Sequence, residues 1–221
     1  MANQPQPQYQ QIRHTSLTQA RSAWYLSAVA ASGLLLSACG QPTASVESPQ
    51  QQFMAAFKPY CGQAFSATIV ADNQPSPAWD HPLVVHIRDC EANTIRMPLH
   101  VGDDRSRTWV LTRQQTQQQE VIDFQHYHLH EDGSADAVSP YGGQTVQAGS
   151  ASKQAFPVDE ASKALFVANG LDVSTTNTWT FEFVDANTLS YQLSRPGRLF
   201  EVHIDLSQPI AVPPPAWGYQ E

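Results

Sequence analysis

The stretch that decides the fold is TWTFEFV (178–184), followed by LSYQLS (189–194) and LFEVHIDL (199–206). Apolar and polar residues alternate through all three segments, the two-residue period of strands with one face buried. The separators are Asp185-Ala186-Asn187-Thr188 and Arg195-Pro196-Gly197, both turn chemistry. Three antiparallel strands joined by two hairpins follow from this pattern.

Working back along the chain, the same grammar marks strands near Ser66–Ala71, Leu83–Cys90, Thr94–Val101, Thr108–Arg113 and Val121–His130, giving about eight in all. Between the fifth and sixth lies a glycine-rich loop, SPYGGQTVQAGSAS, and then one helix. Asp159 caps that helix, Ala161, Leu165, Phe166 and Ala168 supply its apolar stripe, and Asn169-Gly170 end it. The expected architecture is all-β with minor α: an antiparallel, lipocalin-like barrel of about eight strands with one helix laid against it, covering an open end. A two-sheet β-sandwich is the alternative arrangement of the same strands.

The N-terminal quarter of the 221 residues reads differently. Arg13 and Arg21 are the only Lys or Arg before the apolar run WYLSAVAASGLLLSA (24–38), which is shorter than the roughly 20 residues of a membrane span. It ends in Leu36-Ser37-Ala38-Cys39-Gly40, which looks like a bacterial lipobox. Residues 1–38 are thus expected to be a lipoprotein signal peptide, with Cys39 acylated as the first residue of the mature chain. Two or three acyl chains hold a protein to a membrane stably where one does not. Because Gly40 is not the Asp that retains such proteins at the inner membrane, the expected location is the outer membrane, facing the periplasm. Residues 39–52, rich in Gln, Ser and Pro, read as the lipidated cysteine and a flexible tether, and 53–221 as a single β-rich domain.

Removing residues 1–38 takes away two of 12 basic side chains and none of the 20 acidic ones, which leaves a net charge of −10. So acidic a surface excludes nucleic acid as a partner and leaves membrane attachment to the lipid. In an oxidising compartment the two remaining cysteines, Cys61 and Cys90, are expected to pair.

The chemistry concentrates in FQHYHLHEDGSAD (124–136). His126, His128 and His130 recur at every second position, so a strand would carry them in one row, with neighbours roughly 6.6–6.8 Å apart. Ile122 and Phe124 share that parity, which points the row into the barrel near one mouth. Two imidazoles at this spacing can both reach a Zn²⁺ or another divalent transition metal at about 2.0–2.1 Å. His126 and His130, about 13 Å apart, cannot share one ion, so a third ligand would come from another strand. His86 and His203, each flanked by apolar residues, are candidates, as are Asp132 and, if a bulge at Pro98 reverses its parity, His100. The DGSAD run is not a calcium loop, since Ala137 and Gly143 stand where Gly and Glu are required. No nucleophile elbow and no phosphate-binding glycine loop occurs, and Asp103, Asp104, Arg105 and Arg107 read as surface ion pairs.

Taken together, IRMPLHVGDDRSRTW (95–109), HYHLHEDGSAD (126–136) followed by YGG (141–143), FPVDE (156–160) and RPGRLFEVHIDL (195–206) before PPPAWG (213–218) resemble a family of uncharacterised bacterial secreted proteins and lipoproteins. The family's motif reads H-x-H-x-H-E-D-G, and its strand carries an Asp and an Arg between the histidines where this chain has Tyr127 and Leu129. The resemblance implies no activity. The expectation is an envelope lipoprotein whose barrel binds a small ligand or a divalent metal without catalysis. The alternatives are a metal-assisted hydrolase using His126 and His128 with Glu131 as base, or a lipoprotein that docks on a protein partner.

Overall fold

A computed structural model describes residues 46–219. The expected signal peptide, Cys39 and the first part of the expected tether lie outside the described residues. Among the described residues eleven strands form one antiparallel sheet: β1 (Gln63–Asp72), β2 (Leu83–Ile87), β3 (Asp89–Cys90), β4 (Thr94–Val101), β5 (Asp104–Gln115), β6 (Glu120–His128), β7 (Tyr141–Gln144), β8 (Lys153–Pro157), β9 (Thr178–Asp185), β10 (Thr188–Arg195) and β11 (Arg198–Ile210). Ten of them run in the order β7-β6-β5-β4-β2-β1-β11-β10-β9-β8, with β3 paired to β4. One continuous sheet curls almost into a barrel, so the two-sheet sandwich does not form.

The sheet has eleven strands where the pattern predicts about eight. The long strand expected over Leu83–Cys90 breaks at Arg88, whose backbone N–H turns back to His86 O at 2.8 Å. The other two additions, β7 and β8, arise from the stretch around the glycine-rich loop. Each is short, and together they supply the two edges that meet. The meeting point is an isolated antiparallel pairing of Gly143 with Val158, with Asp159 N–H donating to Gly142 O at 3.1 Å. Glycine is required on both sides of β7. A Cβ on Gly142 would lie 2.8 Å from the carbonyl carbon of Phe124, and one on Gly143 would lie 2.7 Å from that of Pro157, each closer still to the oxygen. The YGG motif is therefore what lets the edges approach.

The three deciding strands behave as their alternation demands. Trp179, Phe181, Leu189, Tyr191, Phe200, Val202 and Ile204 all point inward and are at most 5% exposed. Tyr191 stands opposite Phe181 on one side and Val202 on the other. The disulfide forms between Cys61 and Cys90, Cα atoms 5.9 Å apart, tying the entrance of β1 to β3.

Two segments depart from expectation. Residues 49–52 are not tether: helix α1 (Pro49–Ala55) starts there, with Ser48 and Gln51 forming a reciprocal capping box and Pro49 in the first turn. Phe53 and Phe57 are fully buried, pack edge-on at 5.5 Å, and with Phe183 fill the end of the barrel beside α1. The expected helix forms as α2 (Glu160–Ala168), with Asp159 accepting from Ser162 N–H, but its buried residues are Ser162 and Phe166 rather than the whole apolar stripe. Finally, residues 211–219 strap the outer face. Trp217 N–H donates to Arg105 O at 3.0 Å, the Arg105 guanidinium donates to Pro215 O at 3.1 Å, and Arg88 lies 4.8 Å over the Tyr219 ring.

Candidate functional site

Strand β6 carries the histidine row, and its parity is as the sequence predicts: Ile122, Phe124 and His126 are all buried inward. The row stops at two. β6 ends at His128, Leu129 bridges to Ala135, and the turn is held by Asp132, which accepts from both the backbone and the hydroxyl of Ser134. His130 is swung out to 58% side-chain exposure, so it does not extend the row. Asp136 folds back to lie 4.0 Å from both His128 Nδ1 and His130 Nε2.

His86 and His203 are not part of this site. Val85 and Ile87 occupy the inward positions of β2, and Val202 and Ile204 those of β11, so the histidine between each pair faces outward. An apolar residue on either side of a histidine places it on the opposite face. His203 Nε2 instead meets Glu201 Oε1 at 3.0 Å on the outer face. His100 also points away from the row Ile95, Met97, Leu99 and Val101, and the register shift falls between Leu99 and Val101 rather than reversing the parity at Pro98. It is nonetheless 4% exposed, because the C-terminal strap covers that part of the outer face. Burial, then the nearby Arg105, push its pKa down to about 4. Glu131, a suggested base, lines a groove with His100 and Trp217, separate from the cleft over His126.

That cleft is a cavity of about 410 Å³ at the barrel end opposite α1. Register builds it. On β5 and β6, Trp109 stands directly opposite His126 and Arg107 opposite His128. From the far wall come Trp179, Tyr191, Leu193 and Phe200, and Phe166 of α2 closes one side. Ten strands around the path, rather than eight, leave room that side chains do not fill.

Within it, His126 Nδ1 lies 2.7 Å from the hydroxyl of Tyr141. Burial, followed by the charges of Arg107 and His128, pushes the His126 pKa down to about 3, so the ring is neutral. Burial raises the Tyr141 pKa, so its hydroxyl keeps its proton. Donation of that proton to Nδ1 leaves the imidazole hydrogen on Nε2. Nε2 is buried with no partner among the described residues, and so is Trp109 Nε1 beside it. The His128 pKa is also lowered, by burial first and Arg107 next.

Three guanidiniums complete the lining: Arg107, Arg195 and Arg198. Arg107 is paired with Asp104 and lies 5.2 Å over the Trp79 ring, and Arg198 is paired with Asp72. None of these three, nor Trp109 or Tyr141, stands out in the sequence as site chemistry. Arg107 shares the parity of Trp109 in Arg107-Thr108-Trp109, which was the available signal; the others come together only through register. No Asp or Glu lines the cavity, and among the described residues no group of three or more His, Cys, Asp or Glu is arranged to hold a metal ion. No family model, curated protein or solved structure matches this chain.

Proposed function

We propose that the chain is a bacterial envelope lipoprotein, anchored through acylated Cys39 at the periplasmic face of the outer membrane, whose barrel-like domain binds a small organic ligand without transforming it. The observation that carries this reading is the cleft over His126. Its volume of about 410 Å³, its aromatic walls and its few convergent polar groups match the properties of ligand pockets. A divalent metal is the weaker occupant. One nitrogen of His126 is already engaged by Tyr141, no carboxylate lines the cleft among the described residues, and Arg195 there has no counter-charge. The hydrolase alternative loses its base, because Glu131 lines the separate outer groove.

The binding reading is tested by thermal unfolding with a panel of small aromatic compounds, neutral, anionic and cationic, and with zinc. A binder at 100 times its Kd adds about 2.7 kcal/mol to stability. Ser174→Trp, which places bulk in the cleft, should abolish that gain while leaving the unliganded Tm nearly unchanged. If no compound stabilises the protein, or if Ser174→Trp binds as well as wild type, the cleft is not the site. Stabilisation by zinc alone, lost in His126→Ala, would favour the metal alternative. For the anchor, Cys39→Ser should move the protein from the membrane to the soluble fraction; a variant that stays membrane-bound through an alkaline wash refutes the lipoprotein reading.

A further inference from the structure

The cleft is lined by donors and positive charge in a chain that is otherwise strongly acidic. Two N–H groups, His126 Nε2 and Trp109 Nε1, are buried without partners among the described residues, although His126 is 7% and Trp109 only 1% exposed. A buried polar nitrogen left without a partner is costly to the fold. The two residues stand directly opposite in register on β5 and β6, and both line the cleft.

The third observation is at the turn joining β10 to β11. Arg195 and Arg198 are directly opposite in register, and like charges so placed destabilise a hairpin. Arg198 has its carboxylate in Asp72, and Arg107 has Asp104. Arg195 has none among the described residues. Its guanidinium donates to Asn177 Oδ1 at 3.1 Å, a neutral acceptor, and its pKa is lowered by burial and by the charge of Arg198. The cleft therefore holds one guanidinium without a counter-charge and two orphaned donors, beside aromatic walls and no carboxylate.

Resting on the reading of the cleft as a ligand site, we infer that its ligand is a small organic anion, a carboxylate or sulfonate on a flat aromatic body, whose charge is matched by Arg195 and whose acceptor atoms take the N–H groups of Trp109 and His126. The aromatic body lies among the rings that line the cleft, Trp79, Trp179 and Phe200. A free cation would meet the uncompensated Arg195 and no carboxylate in the lining. A neutral compound would leave Arg195 uncompensated.

The probes are 2-naphthoate and its neutral isostere 2-naphthamide, titrated into the full-length chain by calorimetry. Naphthoate should bind at least tenfold more tightly than naphthamide. Arg195→Gln should weaken naphthoate at least tenfold and change naphthamide less than twofold. Trp109→Phe should weaken naphthoate as well. Salt offers a check that needs no variant: raising it to about 0.5 M should weaken naphthoate and spare naphthamide. Equal affinity for both probes, or an Arg195→Gln variant that binds naphthoate like wild type, overturns the anion inference while leaving the cleft a ligand site. So does binding of neutral or cationic members of the thermal panel with no response to naphthoate. Failure of the whole panel removes both readings together.

Discussion

Replacing Gly143 by Ala should unfasten the barrel, and the size of the effect follows from the geometry at its seam. The added Cβ would stand 2.7 Å from the Pro157 carbonyl carbon and 3.2 Å from Val158 Cα, against backbone that cannot rotate away. Restoring ordinary contact with the Pro157 carbonyl oxygen moves β7 and β8 apart by about 1.5 Å, a large step inside a close-packed barrel. The backbone at Gly143 does not have positive φ, so Ala meets no conformational strain there. Its restriction of the unfolded chain even contributes about 0.4–1 kcal/mol in favour of folding. Against this stand about 1–3 kcal/mol for overpacking and about 0.5–1.5 kcal/mol for the stretched bond between Asp159 N–H and Gly142 O. The net loss should be about 0.5–4 kcal/mol, centred near 2, read from urea unfolding followed by tryptophan fluorescence. Amide exchange localises it: Asp159 should lose protection, whereas Tyr191, on the far wall, should keep it relative to the new global stability. An unchanged midpoint with Asp159 still protected would show that the seam is not where the sheet closes.

Changing both Cys61 and Cys90 to Ser should cost about 3–4 kcal/mol, as closing a loop of 29 residues implies in the chain-entropy account. Without reductant neither cysteine should be alkylated, and labelling of both would refute the bridge. The pH response of His126 has a definite sign. Its folded pKa, about 3, lies below the ordinary 6.5, so the unfolded chain binds the extra proton between those values and acid destabilises the fold. By pH 5 this group alone should have removed about 2 kcal/mol. The advantage of wild type over His126→Gln in urea unfolding should shrink by that amount between pH 7 and pH 5; a constant difference would mean that His126 titrates normally in the folded protein.

The legible part of this fold is the part where side chains alternate without interruption. TWTFEFV, LSYQLS and LFEVHIDL bury one face each, and Val121 to His128 orients His126 by the company of Ile122 and Phe124. Strands β7 and β8 were hidden because four or five residues containing two glycines and a proline carry no period. Their partners, β6 and β9, lie on either side of a seam that sequence neighbours do not reveal. Helix α1 was masked by composition: Ser48-Pro49-Gln50-Gln51 is a capping box, but it sits in a run of glutamines that reads as linker. In the cleft, the histidine row was visible because one strand carries it. Arg195, Tyr141 and Trp109 were not, since they come from three other strands. His100 differs: its parity follows from the sequence, and its burial comes from a strap more than a hundred residues later.

The pairing of β1 with β11 has a consequence for the order of events in synthesis. Ala64 faces Ile210 and Asp72 faces Phe200, so the first strand of the sheet waits for the last. Closing a connection of that length is slow, and contacts so distant in sequence set the folding rate of β-rich proteins. A chain emerging N-terminus first cannot lay down the strand that joins its two halves until nearly all of it has been made. A polypeptide threaded through a secretion channel must remain unfolded for the same interval. Here the topology itself postpones the fold, and the delay ends only when the final strand is free to pair.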